Sequence, residues 1–208
     1  MGRRLGRSQR QWRRKQKWHR IEPRTVHDLD SFAEAIDPAK LDAEQFVQLI
    51  STLDMLGTAG TGLELAGMRT DTFIGFLSRA SRDQLDALMA HPRLRQVVFE
   101  EVFSRMATHL NKDRAAGLYA VIHWRFTGGS GPGDFDRFET VIEKGRCESG
   151  DEPTDDARVT VTISPTDFLR AVTGVVNLPM LFLSGKVKVK GDIAFAATLI
   201  SYFDLPKP

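Results

Sequence analysis

The chain has 208 residues, of which 41% are hydrophobic and 27% charged, and its formal net charge is +2. That length can bury a sizeable core, as one domain or as one domain with an extension, and no run approaches the roughly 20 apolar residues that a membrane-spanning helix needs. Cys147 is the only cysteine, which excludes an intramolecular disulfide and a cysteine-based structural zinc site.

The charge is unevenly placed. Residues 1–20 hold nine Lys or Arg and no acid, leaving 20 basic against 27 acidic residues, a net charge of −7, for the rest. The expected organisation is a basic arm over 1–22, a helical extension over 23–90 and an α+β domain over 91–208. The arm has too few apolar residues to build a core and its like charges repel, which predicts disorder in isolation; Trp12 and Trp18 are its large anchors. No apolar h-region follows it, as a signal peptide requires, so the expected location is the cytoplasm.

Helical spacing begins near Thr25. Asp42-x-x-Gln45 reads as a capping box ahead of Phe46, Leu49, Ile50 and Leu53, and Gly57, Gly60 and Gly62 interrupt the pattern. Phe73, Phe76 and Leu77 mark a further segment over Thr72–Leu77, and Ser81-x-x-Gln84 caps a helix containing Leu85, Leu88 and Met89. His91-Pro92 marks a fresh helix start. The next helix, about Arg93 to Asn111, carries Leu94, Val97, Val98, Val102, Met106 and Leu110 along one stripe.

Strand spacing follows. Leu118, Ala120, Ile122, Trp124 and Phe126 alternate, the Gly128–Gly133 segment breaks the chain, and Phe138, Thr140 and Ile142 alternate again, a hairpin with a flexible loop. The acidic stretch Gly150–Asp156 reads as a turn before a strand with Val159, Val161 and Ile163 on one face. Ser164 is a good N-cap, with Pro165 at the first helical position and Asp167 in the first turn; that helix runs through Phe168, Leu169 and Val172 to Gly174. A short helix over about Pro179–Leu183 precedes a strand in which Val187 and Val189 alternate with Lys186, Lys188 and Lys190. Lysines on a strand at a sheet edge discourage pairing with other chains. Gly185 suits a left-handed helix end and Asp192 caps a last helix whose apolar residues, from Ile193 to Phe203, surround most of its circumference. Such a helix is buried in protein or covers a ligand.

The run Phe182-Leu-Ser-Gly-Lys-Val-Lys-Val-Lys-Gly-Asp192, with Ser164-Pro-Thr-Asp-Phe-Leu169 and Leu178-Pro-Met-Leu-Phe182 before it, resembles the signature of the sterol carrier protein type 2 (SCP-2) family. The resemblance covers about Arg93 to Leu205 and predicts the order helix, three strands, two helices, strand, helix. It implies a mixed β-sheet covered by helices around an apolar cavity, with the helical extension outside the common domain. It also implies non-catalytic binding, and intermembrane transfer, of a hydrophobic molecule, either a fatty acyl lipid or a sterol-like one. Carried onto this chain, the cavity walls are expected at Phe168, Leu169, Val172, Met180, Leu181, Phe182, Ile193, Phe195, Ala196 and Leu199, over a floor of Leu118, Ile122 and Trp124. Each of these also has a plain reading as core. The alternative function is a protein-interaction or regulatory module that keeps the fold and uses residues 25–90 to bind a partner. The last residues, Leu205-Pro-Lys-Pro208, are not a peroxisomal tripeptide, so that targeting is not implied.

Catalytic, cofactor and metal constellations are not found in the sequence. The Gly128–Gly133 loop lacks the Gly-Lys-Ser/Thr ending of a phosphate-binding loop, and the five histidines lack ligand spacing. Cys147 between Arg146 and Glu148 would be a nucleophile only beside a base; a strand-end cysteine is the expectation. For the arm, Arg3, Arg4, Arg7, Arg10, Arg13, Arg14, Lys15 and Lys17 with Trp12 and Trp18 suit peripheral contact with an anionic membrane. Nucleic acid would attract the same charges through counterion release but is not the expected partner. An unbound tail, or a leader from a start codon set too far upstream, is equally compatible.

Overall fold

The computed structural model describes residues 26–60 and 65–204, so the basic arm lies outside the described residues. The extension forms α1 (Val26–Ala35), α2 (Ala43–Thr58), α3 (Thr70–Ser78) and α4 (Arg82–Ala90). Both capping boxes close in both directions, Asp42 with Gln45 and Ser81 with Gln84, so each helix start satisfies backbone donors that would otherwise be orphaned. The buried Gln84 amide also donates to the carbonyls of Pro38 and Leu41 at 2.7 Å each. A single cap residue thereby fixes the α1–α2 connection.

The remainder runs α5 (Pro92–Thr108), α6 (Lys112–Ala115), β1 (Tyr119–Thr127), β2 (Phe135–Glu143), β3 (Arg146–Gly150), β4 (Val159–Ile163), α7 (Pro165–Val172), α8 (Leu178–Leu183), β5 (Val187–Gly191) and α9 (Ile193–Thr198), closing on a 3-10 turn over Leu199–Tyr202. The five strands form one sheet in the order β3-β2-β1-β4-β5, in which β1 and β4 are parallel and the other neighbours antiparallel. This is the mixed, helix-covered α+β sheet that the sequence led us to expect, with one correction. Four strands, not three, precede α7, because Arg146–Gly150 adds an edge strand to β2. Only Cys147 of its five residues is buried, so the strand carries no apolar alternation that a sequence pattern would register.

One sheet face meets the helices. Ala120, Ile122, Trp124 and Phe126 of β1 and Phe138 and Ile142 of β2 are buried on it, and α5 presses Phe99 and Phe103 against them. Phe99 stacks on Phe126 with ring centroids 4.1 Å apart, and Phe103 on Phe138 at 4.9 Å and on Phe168 at 5.8 Å. Aromatic pairs at such spacing add to the stabilisation from burial alone. The core is continuous with that of the extension, where Phe46 and Phe76 stack at 5.7 Å. Polar ties join the same parts. The Arg105 guanidinium lies over the Phe73 ring and donates to Thr70 Oγ1 and the Leu65 carbonyl, while Arg82 of α4 donates to Asp167 of α7 at 3.0 Å.

The other sheet face is crossed by the connection from β3 to β4, and Glu139 holds it down. Its buried carboxylate accepts from the backbone N–H groups of Thr154 and Asp155, from the Thr154 hydroxyl at 3.0 Å and from His123 Nε2 at 3.2 Å. Burial alone would push the Glu139 carboxyl up, but these donors outweigh it and hold it below the usual range.

Candidate functional site

At the β4–β5 end of the sheet the space between strands and helices is not filled. A cavity of about 450 Å³ lies there. Trp124, Val161, Ile163, Val187 and Val189 form its floor, all strand residues on the helix-covered face. Alternation makes this floor apolar: the intervening Thr160, Thr162, Lys188 and Lys190 occupy the opposite face.

The walls come from three helices. Ser164 caps α7 by accepting from the Asp167 backbone N–H at 3.1 Å, and Pro165 fills the first turn. Phe168, Ala171 and Val172 of that helix then face the cavity. Gly185, with φ of +73°, turns the chain out of α8 into β5, and Gly191 turns it out of β5 toward α9. A Cβ on Gly191 would collide with the Arg158 carbonyl, so only glycine serves there. Asp192 then caps α9, accepting from the Phe195 N–H at 2.8 Å and from Arg158 at 2.8 and 3.0 Å. Phe195 N–H first, and Arg158 after it, hold the Asp192 carboxyl below the usual range.

The void has a local cause. Ala171, Ala196 and Ala197 contribute almost no volume where larger side chains would meet in the middle. Trp124 does not swing in to fill the gap, because its indole Nε1 donates to Thr140 Oγ1 at 3.0 Å and Thr140 in turn pairs with Ser149 at 2.8 Å. Met106, Leu178, Pro179, Phe182, Leu183, Ile193, Leu199, Ile200 and Phe203 also line it, and among the described residues Asn177 is the one amide or charged side chain in the lining. Such a chamber takes up an apolar molecule by the hydrophobic effect and offers little hydrogen bonding to orient one.

Of the residues expected at the wall, Trp124, Phe168, Val172, Phe182, Ile193, Ala196 and Leu199 line this cavity. The others lie elsewhere. Ile122 and Leu169 are fully buried in the closed core, Leu181 is buried behind the lining, and Leu118 packs at the core margin. Met180 points into solvent. Phe195 is buried against the Arg158 guanidinium, 4.2 Å from its ring centroid, and near Tyr202. Six-residue helices such as α8 and α9 are too short for periodicity to say which face turns inward. Val161, Ile163, Val187 and Val189 are missing from the expected wall, although the alternation that puts them on the floor is plain in the sequence.

Other candidate chemistry is weaker. A hollow of about 630 Å³ lies between the start of α5 and the 128–134 loop, but its walls include Arg93, Gln96, Asp136, Arg137 and Asp151. Cys147 is buried and its thiol is pushed up to about 11, chiefly by burial and then by Glu148, so it stays protonated at neutral pH. Among the described residues no group of three His, Cys, Asp or Glu side chains converges as a metal site would need, and no helix is long and apolar enough to cross a membrane.

The family model of the SCP-2 sterol transfer family matches residues 99–204. Hydroxysteroid dehydrogenase-like protein 2 of Bos taurus is 32% identical over 108 residues, which are 52% of this chain and 25% of that protein. The chain thus spans about a quarter of the length of that curated relative. Among solved structures, sterol carrier protein 2 of Aedes aegypti in complex with palmitate is 18% identical over 51% of this chain and 94% of its own, with a TM-score of 0.41. The inverting sec-alkylsulfatase of Pseudomonas sp. is 15% identical over 86% of this chain and 32% of its own, with a TM-score of 0.45. With the model matched across half of the sequence, from the middle of α5 to the end of the last helical turn, the chain belongs to the SCP-2 sterol transfer family.

Proposed function

We propose that this protein binds one hydrophobic molecule with an acyl or sterol-like body in the cavity over β4 and β5, and carries it without chemical change. The observation that supports this most is the lining. Among the described residues, the side chains that surround about 450 Å³ are apolar except for Asn177 and the Trp124 indole N–H, which is already bonded to Thr140, and the space is within the usual size of small-molecule sites. Burying about 300 Å² of an apolar tail at about 25 cal/mol per Å² contributes about 7.5 kcal/mol, offset in part by the cost of association and ordering. Affinity therefore needs no charged anchor, and discrimination rests on shape. Asp192, at the start of α9, is committed to a helix cap and an ion pair.

Displacement of a fluorescent fatty acid from the purified full chain tests the reading. Saturable, one-to-one binding that unlabelled fatty acid or sterol competes away is the expected result, together with a co-purified apolar molecule in native mass spectrometry. A chain that binds neither acyl nor sterol probes would refute it.

A further inference from the structure

The cavity is open to solvent, and its two lips are α8 and α9. Both carry large apolar side chains outward: Leu183 is 81% exposed and Met180 63% on one lip, and Ile193 55% on the other, and Ile200 of the 3-10 turn after α9 is exposed as well. Scattered apolar residues are ordinary on a protein surface, but several gathered round one opening mark a contact site. The neighbouring edge strand β5 sends Val187 and Val189 to the cavity floor and carries Lys186, Lys188 and Lys190 at the alternate positions. All three lysines are exposed, and among the described residues none forms an ion pair.

We propose that this mouth is a docking surface for an anionic phospholipid bilayer, with Met180, Leu183 and Ile193 entering the boundary between headgroups and acyl chains and the β5 lysines lying against the headgroups. The proposal rests on the reading of the cavity as a lipid site and adds the face through which cargo passes. Apolar side chains bordered by cations are the chemistry that an anionic interface selects. A second copy of the chain fits less well. In a symmetric pair the same patch meets itself, so three unpaired lysines of one copy would be set against three of the other. Docking by the mouth also removes a physical obstacle, since an apolar cargo leaving the cavity would enter acyl chains without first crossing water.

The test uses the full chain with Leu183→Cys labelled by an environment-sensitive fluorophore; Cys147 is buried and leaves position 183 as the reactive thiol. Vesicles of phosphatidylcholine mixed with phosphatidylglycerol should shift the emission to the blue, and pure phosphatidylcholine should do so much less. With an unlabelled chain, Met180→Asp should weaken binding to anionic vesicles severalfold, and K188E with K190E by about tenfold, while fluorescent fatty acid binding in solution stays unchanged. These positions are exposed, so folding is not at stake. Emission that remains water-like on vesicles that bind the chain would overturn the proposal and assign contact to another region, such as the basic arm. A dimer in sedimentation that Leu183→Asp dissociates would overturn it in favour of a second copy. Loss of fatty acid binding in the unaltered chain would instead refute the cavity reading, whatever the label reports.

Discussion

The two ends of the helix-covered sheet face are made of the same kind of residue and reach opposite outcomes. Over β1 and β2, Phe99, Phe103, Phe126 and Phe138 interlock with Phe168 at centroid distances between 4.1 and 6.2 Å. Over β4 and β5, valine and isoleucine on the strands face alanines on the helices, and about 450 Å³ stays open. Composition alone does not separate a core from a chamber. The difference lies in which helices stand above the sheet: a 17-residue α5 on one end, and on the other the six-residue α8, which ends at the Gly185 turn, and the six-residue α9, capped by Asp192. Phe168 and Trp124 belong to both regions and form the partition.

The packed end is the more sensitive of the two to truncation. Phe99→Ala removes a fully buried ring at the centre of the aromatic cluster and is expected to cost about 3–5 kcal/mol in denaturant unfolding; a cost below about 1 kcal/mol would mean that this end is no better packed than the other. The opposite manipulation fills the open side. Ala196→Phe removes about 100 Å² of contact from a cavity ligand and should weaken fluorescent fatty acid binding by about 2–3 kcal/mol while leaving unfolding stability nearly unchanged. Equal affinity in that variant would place the ligand elsewhere.

A third change leaves both regions intact and tests the scaffold behind them. Glu139→Gln keeps the shape but loses the charge that receives donors from Thr154, Asp155 and His123, at a cost of about 1–3 kcal/mol at neutral pH. Because Glu139 titrates below its ordinary range in the folded state, its contribution is fully present above the unfolded value of about 4.3 and is lost as pH falls through the lower folded value. The two proteins should therefore converge in stability under acid, and parallel curves would show that the carboxylate charge is not what holds the crossing connection. The smallest effect is expected at the partition itself. Ser164→Ala deletes the cap of α7 and should cost about 1 kcal/mol, measurable in both unfolding and ligand binding because Phe168 serves both regions.

Much of this was legible residue by residue. Asp42, Ser81, Ser164 and Asp192 each announce a helix start, and each accepts from the backbone N–H three residues on. Caps are local chemistry and need no tertiary contact to be read. The alternating faces of β1, β4 and β5 were equally plain, because a half-buried strand prints its two faces in the sequence. β3 was not, since an edge strand with one buried residue prints nothing. The cavity wall was legible only in part: Phe168 and Val172 sit on an eight-residue helix with enough turns to define a face, whereas Met180, Leu181 and Phe182 are consecutive apolar residues of which one points to solvent, one to the core and one to the cavity.

The sequence by itself determined most of the elements, though not the edge strand β3, together with their caps, the family signature from Ser164 to Asp192 and the apolar chemistry of the region between them. The tertiary structure decided that this region encloses a void, because a void is a property of how far α8 and α9 stand from the sheet and of which small side chains face one another across it. It also decided where the void opens, since the exposure of Leu183, Met180 and Ile193 follows from the placement of two short helices around the edge strand that their own sequences do not encode.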